Sequence, residues 1–470
     1  MTSLHDLSAL EQAAAVRSGE TSAVDLVEHY AARIEQHDPS VGAFVTLTFE
    51  EARAQAEQAD AAVAAGGQLP TLHGVPIGIK DLNLTEGVPT KLGSRAFADL
   101  VPPLSDFVVE KLRAAGTISL GKTNTPEFGL PCYTEPDVAP PARTPWDLTR
   151  SAGGSSGGAG AAVAAGLLPF AQGSDGGGSI RIPSSVCGLF GIKPSRGRIS
   201  NGPLMGDING LATNGPLART VRDAAALLDA MAGPMPGDPH WAPPVEGGFL
   251  AACEQEPGRL RIGRYRDNGL LADGLHPECL AAWESASALL EELGHDVEDI
   301  DAPFDPGLVP SFEIVWSVSA AGVPVDPAAE ESLRPLTRWL RERGRAVPAT
   351  EFTAALAAMQ LASRTAIAAT AAYDVVLTPT LAQLPATLGW FTDAGDPRAE
   401  FDRMIAWTPF TAPYNTSGQP AVNVPLHWTA DGLPVGVMLV GRPADEVTLL
   451  RLSAQLETAR PWKERHPALW

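Results

Sequence analysis

The chain has little cysteine, a deficit of positive charge and no long apolar run, and each shortage closes off a class of function. Four cysteines, Cys132, Cys187, Cys253 and Cys279, are scattered through 470 residues with no C-x-x-C pair and no neighbouring histidine. Such spacing writes neither a zinc site nor a disulfide frame, so the four are expected to be buried free thiols and no metal or other cofactor is expected. Lys and Arg number 34 against 55 Asp and Glu, a formal net charge of −21. A surface of that sign repels phosphate backbones and anionic headgroups, so neither nucleic acid nor a membrane is the expected partner. No uncharged apolar run approaches the ~20 residues a membrane helix needs. The Ala-rich segment 352–372 is interrupted by Arg364 and reads as a packed helix. The first 20 residues carry acids and lack the basic start and apolar centre of a secretory signal, which points to the cytoplasm.

With 44% apolar and 19% charged residues, the chain can bury a large core. In 21–37 the apolar positions Val24, Leu26, Val27, Tyr30 and Ile34 follow near-helical spacing behind a capping-box-like Ser22 and Asp25. A second helix is expected from Phe49, with acids at its start and Gly66 and Gly67 at its end. "LHGVPIGIKDL" (72–82) reads as a short buried strand, and "TISLGKTN", "LRIGRY", "HDVEDID", "YDVVLTP" and "LPVGVMLVG" as further strands. "GGAGAAVAAGLL" and "HPECLAAWESASALLEELG" read as helices among them. Strands separated by helices imply an α/β layered sheet. The Pro and Gly cluster at 233–248 is the best linker candidate, yet the strand and helix after it can join the same sheet. One domain spanning 1–470 is expected, with a looser excursion at about 240–345.

The densest signal is "SAGGSSGGAGAAVAAGLLPFAQGSDGGGSIRIPSSVCG" (151–188), where Ser155 and Ser179 are each set among glycines. A phosphate cradle is one reading, but "GGSSGG" matches neither nucleotide-binding glycine pattern. Tight turns, with Ser155 or Ser156 capping a helix that begins near Gly157, are a plainer one. The two runs also occur together with Lys80, at the end of an apolar strand where burial favours the neutral amine. Three separated polar groups can then form a proton relay. Acyl transfer needs what such a relay offers: an activated serine and preorganised amides at the oxyanion. The bare backbone of Gly176, Gly177 and Gly178 suits the amides, and Ser179 suits the nucleophile. No histidine lies in a hydrolase motif; His73 reads as a packing residue.

Lys80 in "GVPIGIKD", "GGSSGG" at 153–158 and "GSDGGGSIRIPSSVCGLFGIKPSRGR" at 173–198 closely resemble the amidase signature family. So do "GKTNTPEF" (121–128), "GPLARTVRDAAALLDAMAGP" (215–234), "YDVVLTPT" (373–380) and "PFTAPYNTSGQPAVNVP" (409–425), so the resemblance spans nearly the whole chain. Two departures are Gly176, where many members have a larger residue, and Met438, where glutamine is common. The resemblance implies a mixed central sheet covered by helices on both faces. It also implies an amide hydrolase with a Ser-cisSer-Lys triad: Ser179 the nucleophile, Ser155 the bridge after a cis peptide from Gly154, and Lys80 the base. The amides of Gly176 to Ser179 would hold the oxyanion. Asp175 and Arg181 bracket this loop and are expected to support it, against the plainer reading of a surface ion pair. Lys122 in "GKTN" is the rival base, which the family match leaves structural. Asp81 beside Lys80 points to the opposite face of an extended strand and takes no role.

Substrate identity is less legible. Segments 129–147 and 305–350 are the candidates for the acyl pocket, with Trp146, Phe312 and Trp316 as its apolar lining. A small or medium carboxamide is the expected substrate, with anilides, esters and carbamates as alternatives. The "GSDGGGSIRIP" variant is similar to hydrolases of short linear or cyclic amides. The competing reading is one component of a tRNA-dependent amidotransferase complex. Against it, the segment after the signature reads "NGPLMGDINGLATNGPLART" rather than the "ASSLDQ"-like run of that subgroup. A non-catalytic scaffold is disfavoured by intact Lys80, Ser155 and Ser179. Family habit adds a homodimer as the expected assembly.

Overall fold

The computed structural model describes residues 3–204 and 208–470. Eleven strands form one sheet: β1 (Phe44–Leu47), β2 (Pro76–Lys80), β3 (Ile118–Thr123), β4 (Phe170–Asp175), β5 (Phe190–Lys193), β6 (Thr213–Ala218), β7 (Arg261–Arg264), β8 (Asp296–Asp299), β9 (Val375–Pro379), β10 (Ala421–Trp428) and β11 (Pro434–Gly441). Their order across the sheet is β1-β3-β2-β4-β6-β5-β10-β11-β9-β7-β8. The pairs β3/β2, β2/β4, β9/β7 and β7/β8 are parallel and the rest antiparallel, so the sheet is mixed. β7 and β8, which come from the expected excursion, extend one edge of this same sheet.

Alternation along each strand assigns two faces. Ile77 and Ile79 of β2, Phe190 and Ile192 of β5, Val422 and Val424 of β10 and Val437 and Leu439 of β11 share one core. Helices Val221–Met231, Pro277–Glu292 and Glu446–Ala459 cover it through residues such as Leu227, Trp283 and Leu449. The intervening positions face the other way: Ala171 and Leu217 pack with helices Ala23–Val41 and Gly157–Ala164, and Met438 and Val440 pack with Phe410 and Tyr414. Each helix forms where the sequence provides its ends. Ser22 and Asp25 make the expected capping box, Gly42 closes that helix in the left-handed conformation, and Gly66 ends the next.

Strands β1, β4, β5, β6 and β10 are beyond what periodicity reveals. β4 and β5 carry glycine where a side-chain pattern would be read, and β6 and β10 contain Pro216 and Pro425. Pro425 is tolerated because the β10/β11 register shifts between Val424 and His427. The helix at Ala349–Ala369 buries only one face, through Ala355, Met359 and Ala366, and leaves Leu361 exposed, so it is less packed than its alanines suggest. Cys132, Cys187 and Cys279 are buried, whereas Cys253 is half-buried, a correction to the expectation for all four. Among the described residues no helix is long and apolar enough to cross a membrane.

The first glycine run owes its composition to close packing. A Cβ on Gly158 would stand 2.2 Å from the Asn124 nitrogen and 2.4 Å from the Ala43 oxygen, both backbone atoms that cannot swing away. Gly158→Ala is therefore expected to destabilise the fold by about 2–3 kcal/mol, as overpacked interiors do. Chemical denaturation reads this as a lowered midpoint; an unchanged midpoint would refute the packing argument.

Candidate active site

Lys80 ends β2 with its side chain fully buried. In the parallel register Ile79 is opposite Lys122 and Lys80 opposite Thr123, so the two lysines leave the sheet on opposite faces. The Lys80 amine lies 2.8 Å from Ser155 Oγ, 3.1 Å from Ser174 Oγ and 3.2 Å from the Ser174 carbonyl oxygen. Burial pushes Lys80 down from its ordinary value to about 7, against the opposing pull of the Asp175 charge. A neutral amine has two N–H groups and one lone pair. The Ser174 carbonyl can only accept, and Ser174 Oγ can take the second N–H, which leaves the lone pair for the Ser155 hydroxyl. The Lys80 backbone N–H donates to Gln172 Oε1 at 2.8 Å, and the Gln172 amide is in turn held by Asn83 Oδ1 and Asn214 Oδ1. The β2/β4 ladder registers only Gly78 with Ala171, so the Gln172 side chain stands in for a strand bond where the lysine begins.

The Gly154–Ser155 peptide is cis. Ser156 stands at the start of the helix Gly157–Ala164, but its hydroxyl makes no capping bond. It instead donates to the Ser174 carbonyl at 3.1 Å and accepts from the Ser174 amide at 3.2 Å, while its own amide donates to the Ser179 carbonyl at 3.2 Å. These bonds clamp the two serine-bearing loops together, which the plain capping reading does not provide. Ser179 is only 6% exposed and borders a cleft.

Asp175 and Arg181 form an ion pair whose side chains are both 0% exposed, so the surface-pair reading is wrong. Arg181 donates Nε and Nη2 to the two carboxylate oxygens at 3.0 and 2.9 Å. Asp175 also accepts from the amides of Gly178 at 2.7 Å and Ile180 at 3.1 Å and from Asn415 Nδ2 at 2.8 Å. Burial works to raise the Asp175 carboxyl, but Arg181, Lys193 and Asn415 hold it well below the usual carboxylate range. Arg181 further donates to the Thr411 carbonyl, to Asn415 Oδ1 and to Met438 Sδ at 3.3 Å, so the methionine touches the support of the loop that carries Ser179.

The bond from Gly178 to Asp175 corrects one expectation. The Gly178 amide points at the carboxylate and is not free for an oxyanion; among the described residues no hydrogen bond from the amides of Gly176, Gly177 or Ser179 is seen. Glycine is needed at 178 for another reason, because its φ is +135° and a Cβ would stand 2.4 Å from Thr411 Oγ1. That hydroxyl donates to the Gly177 carbonyl at 2.6 Å. Lys122, on the far face, donates to the Asn83 carbonyl and Thr90 Oγ1, both at 2.7 Å, and pairs with Asp81 at 3.6 Å. It does not meet either serine. His73 is buried, with Nε2 3.0 Å from the Ala59 carbonyl, and Cys187 is core.

A cleft opens at Ser179 and Gly177. Its walls come from Leu130 to Cys132, from Phe304 to Trp316 and from Phe401 to Thr416. Phe312 and Trp316 line it as expected. Trp146 does not: its indole donates to the Cys187 carbonyl and packs beside Trp428. Sequence reasoning misses the contribution of 401–416, and with it Ser174, Gln172, Thr411 and Asn415.

A family model described as Amidase matches residues 25–450. The chain belongs to the amidase family. It is 38% identical to a 6-aminohexanoate-cyclic-dimer hydrolase of Paenarthrobacter ureafaciens, over 98% of this chain and 96% of the relative. It is also 37% identical to an acylamidase of Rhodococcus erythropolis, over 99% and 98%. A solved 6-aminohexanoate cyclic dimer hydrolase superposes with a TM-score of 0.92 at 35% identity, covering 100% of both chains. A bacterial aryl acylamidase superposes with a TM-score of 0.89 at 28% identity, covering 98% of each. This amidase is thus an amide hydrolase on an α/β mixed-sheet fold.

Removing the buried countercharge tests the loop's support. Asp175→Asn leaves Arg181 buried without its countercharge and should cost about 3–5 kcal/mol in chemical denaturation. A loss below about 1 kcal/mol would mean that the pair does not hold the loop.

Proposed function

We propose that this amidase hydrolyses small or medium carboxamides through an acyl-enzyme on Ser179, with Ser155 as proton bridge and Lys80 as base. The observation that carries the reading is the buried amine of Lys80, lowered to about 7 and 2.8 Å from Ser155 Oγ, on a loop clamped to Ser179. The Lys80 lone pair takes the Ser155 proton while Ser155 takes that of Ser179, and Ser179 Oγ bonds to the amide carbon. The electron pair of the C=O bond moves to oxygen, where the amides of Gly176, Gly177 and Ser179 receive it. Collapse of this intermediate breaks the C–N bond. The departing nitrogen takes the proton back from the Lys80 ammonium through Ser155, leaving an ester on Ser179. Water then repeats the sequence, giving a carboxylic acid and regenerating the serine. No metal or cofactor is called on. We also propose that the chain acts as a homodimer, as its family resemblance implies, and that it works in the cytoplasm.

One glutamyl-tRNA(Gln) amidotransferase component, from Chloroflexus aggregans, is 36% identical over 100% of this chain and 99% of its own. A glutamine donor carries an α-carboxylate that a cation should meet. Among the described residues lining the cleft there is no Lys, Arg or His, which favours the stand-alone hydrolase.

Ser179→Ala should lower turnover of p-nitroacetanilide by about 10³-fold or more and abolish the intact-mass adduct formed with a fluorophosphonate. Retained labelling elsewhere with retained turnover would remove Ser179 from the mechanism.

The pH profile supplies a separate check. Because the base must be deprotonated, kcat/KM should fall about tenfold per pH unit below the Lys80 value of about 7 and level off above it. Lys80→Ala should remove both the rate and the rising limb; a variant that kept the limb would assign it to another group.

A further inference from the structure

We propose that the cleft beside Ser179 selects an uncharged, apolar acyl group, and that Trp316 is the residue that sets the preference for its size. This rests on Ser179 being the acylated residue. An acyl-enzyme keeps its acyl group through two steps, whereas the amine must leave and water must enter where it was. The acyl group therefore belongs in the enclosed, water-poor end of the cleft and the amine on the open side. On that reading the acyl group lies against Phe401 and Met404, both buried, and against the half-buried rings of Phe312 and Trp316, stacked with centroids 5.3 Å apart.

Trp316 also lies against the glycine loop at Gly176. A Cβ on Gly176 would lie 3.4 Å from the indole, and one on Gly177 would lie 3.7 Å from Phe312 and 4.0 Å from Trp316. A methyl at 176 fits, but a larger side chain would displace the indole, so glycine here is what lets the ring lie against the loop. The indole thus borders the position of the scissile carbonyl and continues as the wall along which an acyl chain would extend. Charge points the same way. No Lys, Arg or His lines the cleft among the described residues, and its one carboxylate, Asp305, is exposed and accepts the Gly307 amide at 2.6 Å. A carboxylate on the acyl chain would lose its water and find no partner there.

The test compares kcat/KM of the full chain on p-nitroanilides carrying acetyl, butanoyl, hexanoyl, 4-methylpentanoyl and succinyl groups. Hexanoyl should exceed acetyl by about tenfold or more, and succinyl should fall about tenfold or more below 4-methylpentanoyl, its uncharged isostere. Trp316→Ala should bring the hexanoyl-to-acetyl ratio below about threefold, and Trp316→Phe should keep it above about fivefold. The phenylalanine variant and Phe312→Leu, which should also lower the ratio, keep the test available if the alanine variant does not fold. A flat or inverted acyl series with Ser179 still labelled by the fluorophosphonate overturns this inference alone. An unchanged ratio in folded Trp316→Ala overturns the assignment to that residue. Loss of labelling at wild-type Ser179 overturns the nucleophile reading and this inference with it.

Discussion

The arrangement around the two serines depends on one buried ion pair. Asp175 and Arg181 lie at the two ends of the nucleophile loop, with no exposed side-chain surface between them. Two such charges removed from water are costly unless every lone pair and N–H is met. Here five donors converge on the carboxylate, two of them backbone amides of the loop itself. The pair therefore does more than attract: it fixes which amides turn inward to the carboxylate and which stay free beside Ser179. A neutral pair of the same shape could not accept from so many amides at once.

The same carboxylate bears on Lys80, the proposed base. Burial alone would drive Lys80 further from its ordinary value, and the Asp175 charge works against that, leaving the amine at about 7. Lys193, also buried, is pushed down to about 7, with Arg181 reinforcing the burial and Asp175 opposing it. Burial likewise pushes Lys122 down, to about 8, while its own carboxylate, Asp81, works against that on the other face. Three buried lysines thus differ in what their amines face: a hydroxyl pair at Lys80, a lone backbone carbonyl at Lys193, and a carboxylate with two further acceptors at Lys122. Of these amines, that of Lys80 faces a hydroxyl, Ser155, whose loop is bonded through the Ser156 amide to the Ser179 carbonyl.

How much of this is legible in the sequence depends on how far apart the interacting residues lie along the chain. Lys80, Ser155, Ser179, Asp175 and Arg181 sit in short contiguous motifs, and the α/β layering comes from strands and helices with clear periods. Ser174 lies inside "GSDGGGS" yet escapes a sequence reading, because nothing in a motif says that a side chain one residue before Asp175 turns toward Lys80. Asn415 and Thr411 meet Asp175 and Gly177 across more than 200 residues, a pairing no local pattern encodes. The Gly178 amide defeats the expectation for a related reason: glycine permits many orientations, and only the position of the carboxylate decides among them. Aromatic character alone points Trp146 to the cleft, but an indole N–H needs an acceptor when buried, and it finds one at Cys187 instead.

The segment 409–417 joins chemistry to substrate. Thr411 and Asn415 turn toward the nucleophile loop, while Thr408, Pro409, Ala412, Pro413 and Thr416 line the cleft. The short helix Pro413–Ser417 makes this division possible, since residues one or two apart on a helix face different sides. Opposite it, the helix Leu308–Gly322 brings Phe312 and Trp316 to the other wall without a hydrogen bond to the loop. One wall is thus bonded to the backbone of the Ser179 loop and the other only rests on it through ring contacts. Changes on the 308–322 side can alter what fits without disturbing the amides, whereas changes at Thr411 or Asn415 must alter both. The division explains why "PFTAPYNTSG" is recognisable as a motif while the aromatic helix facing it is not.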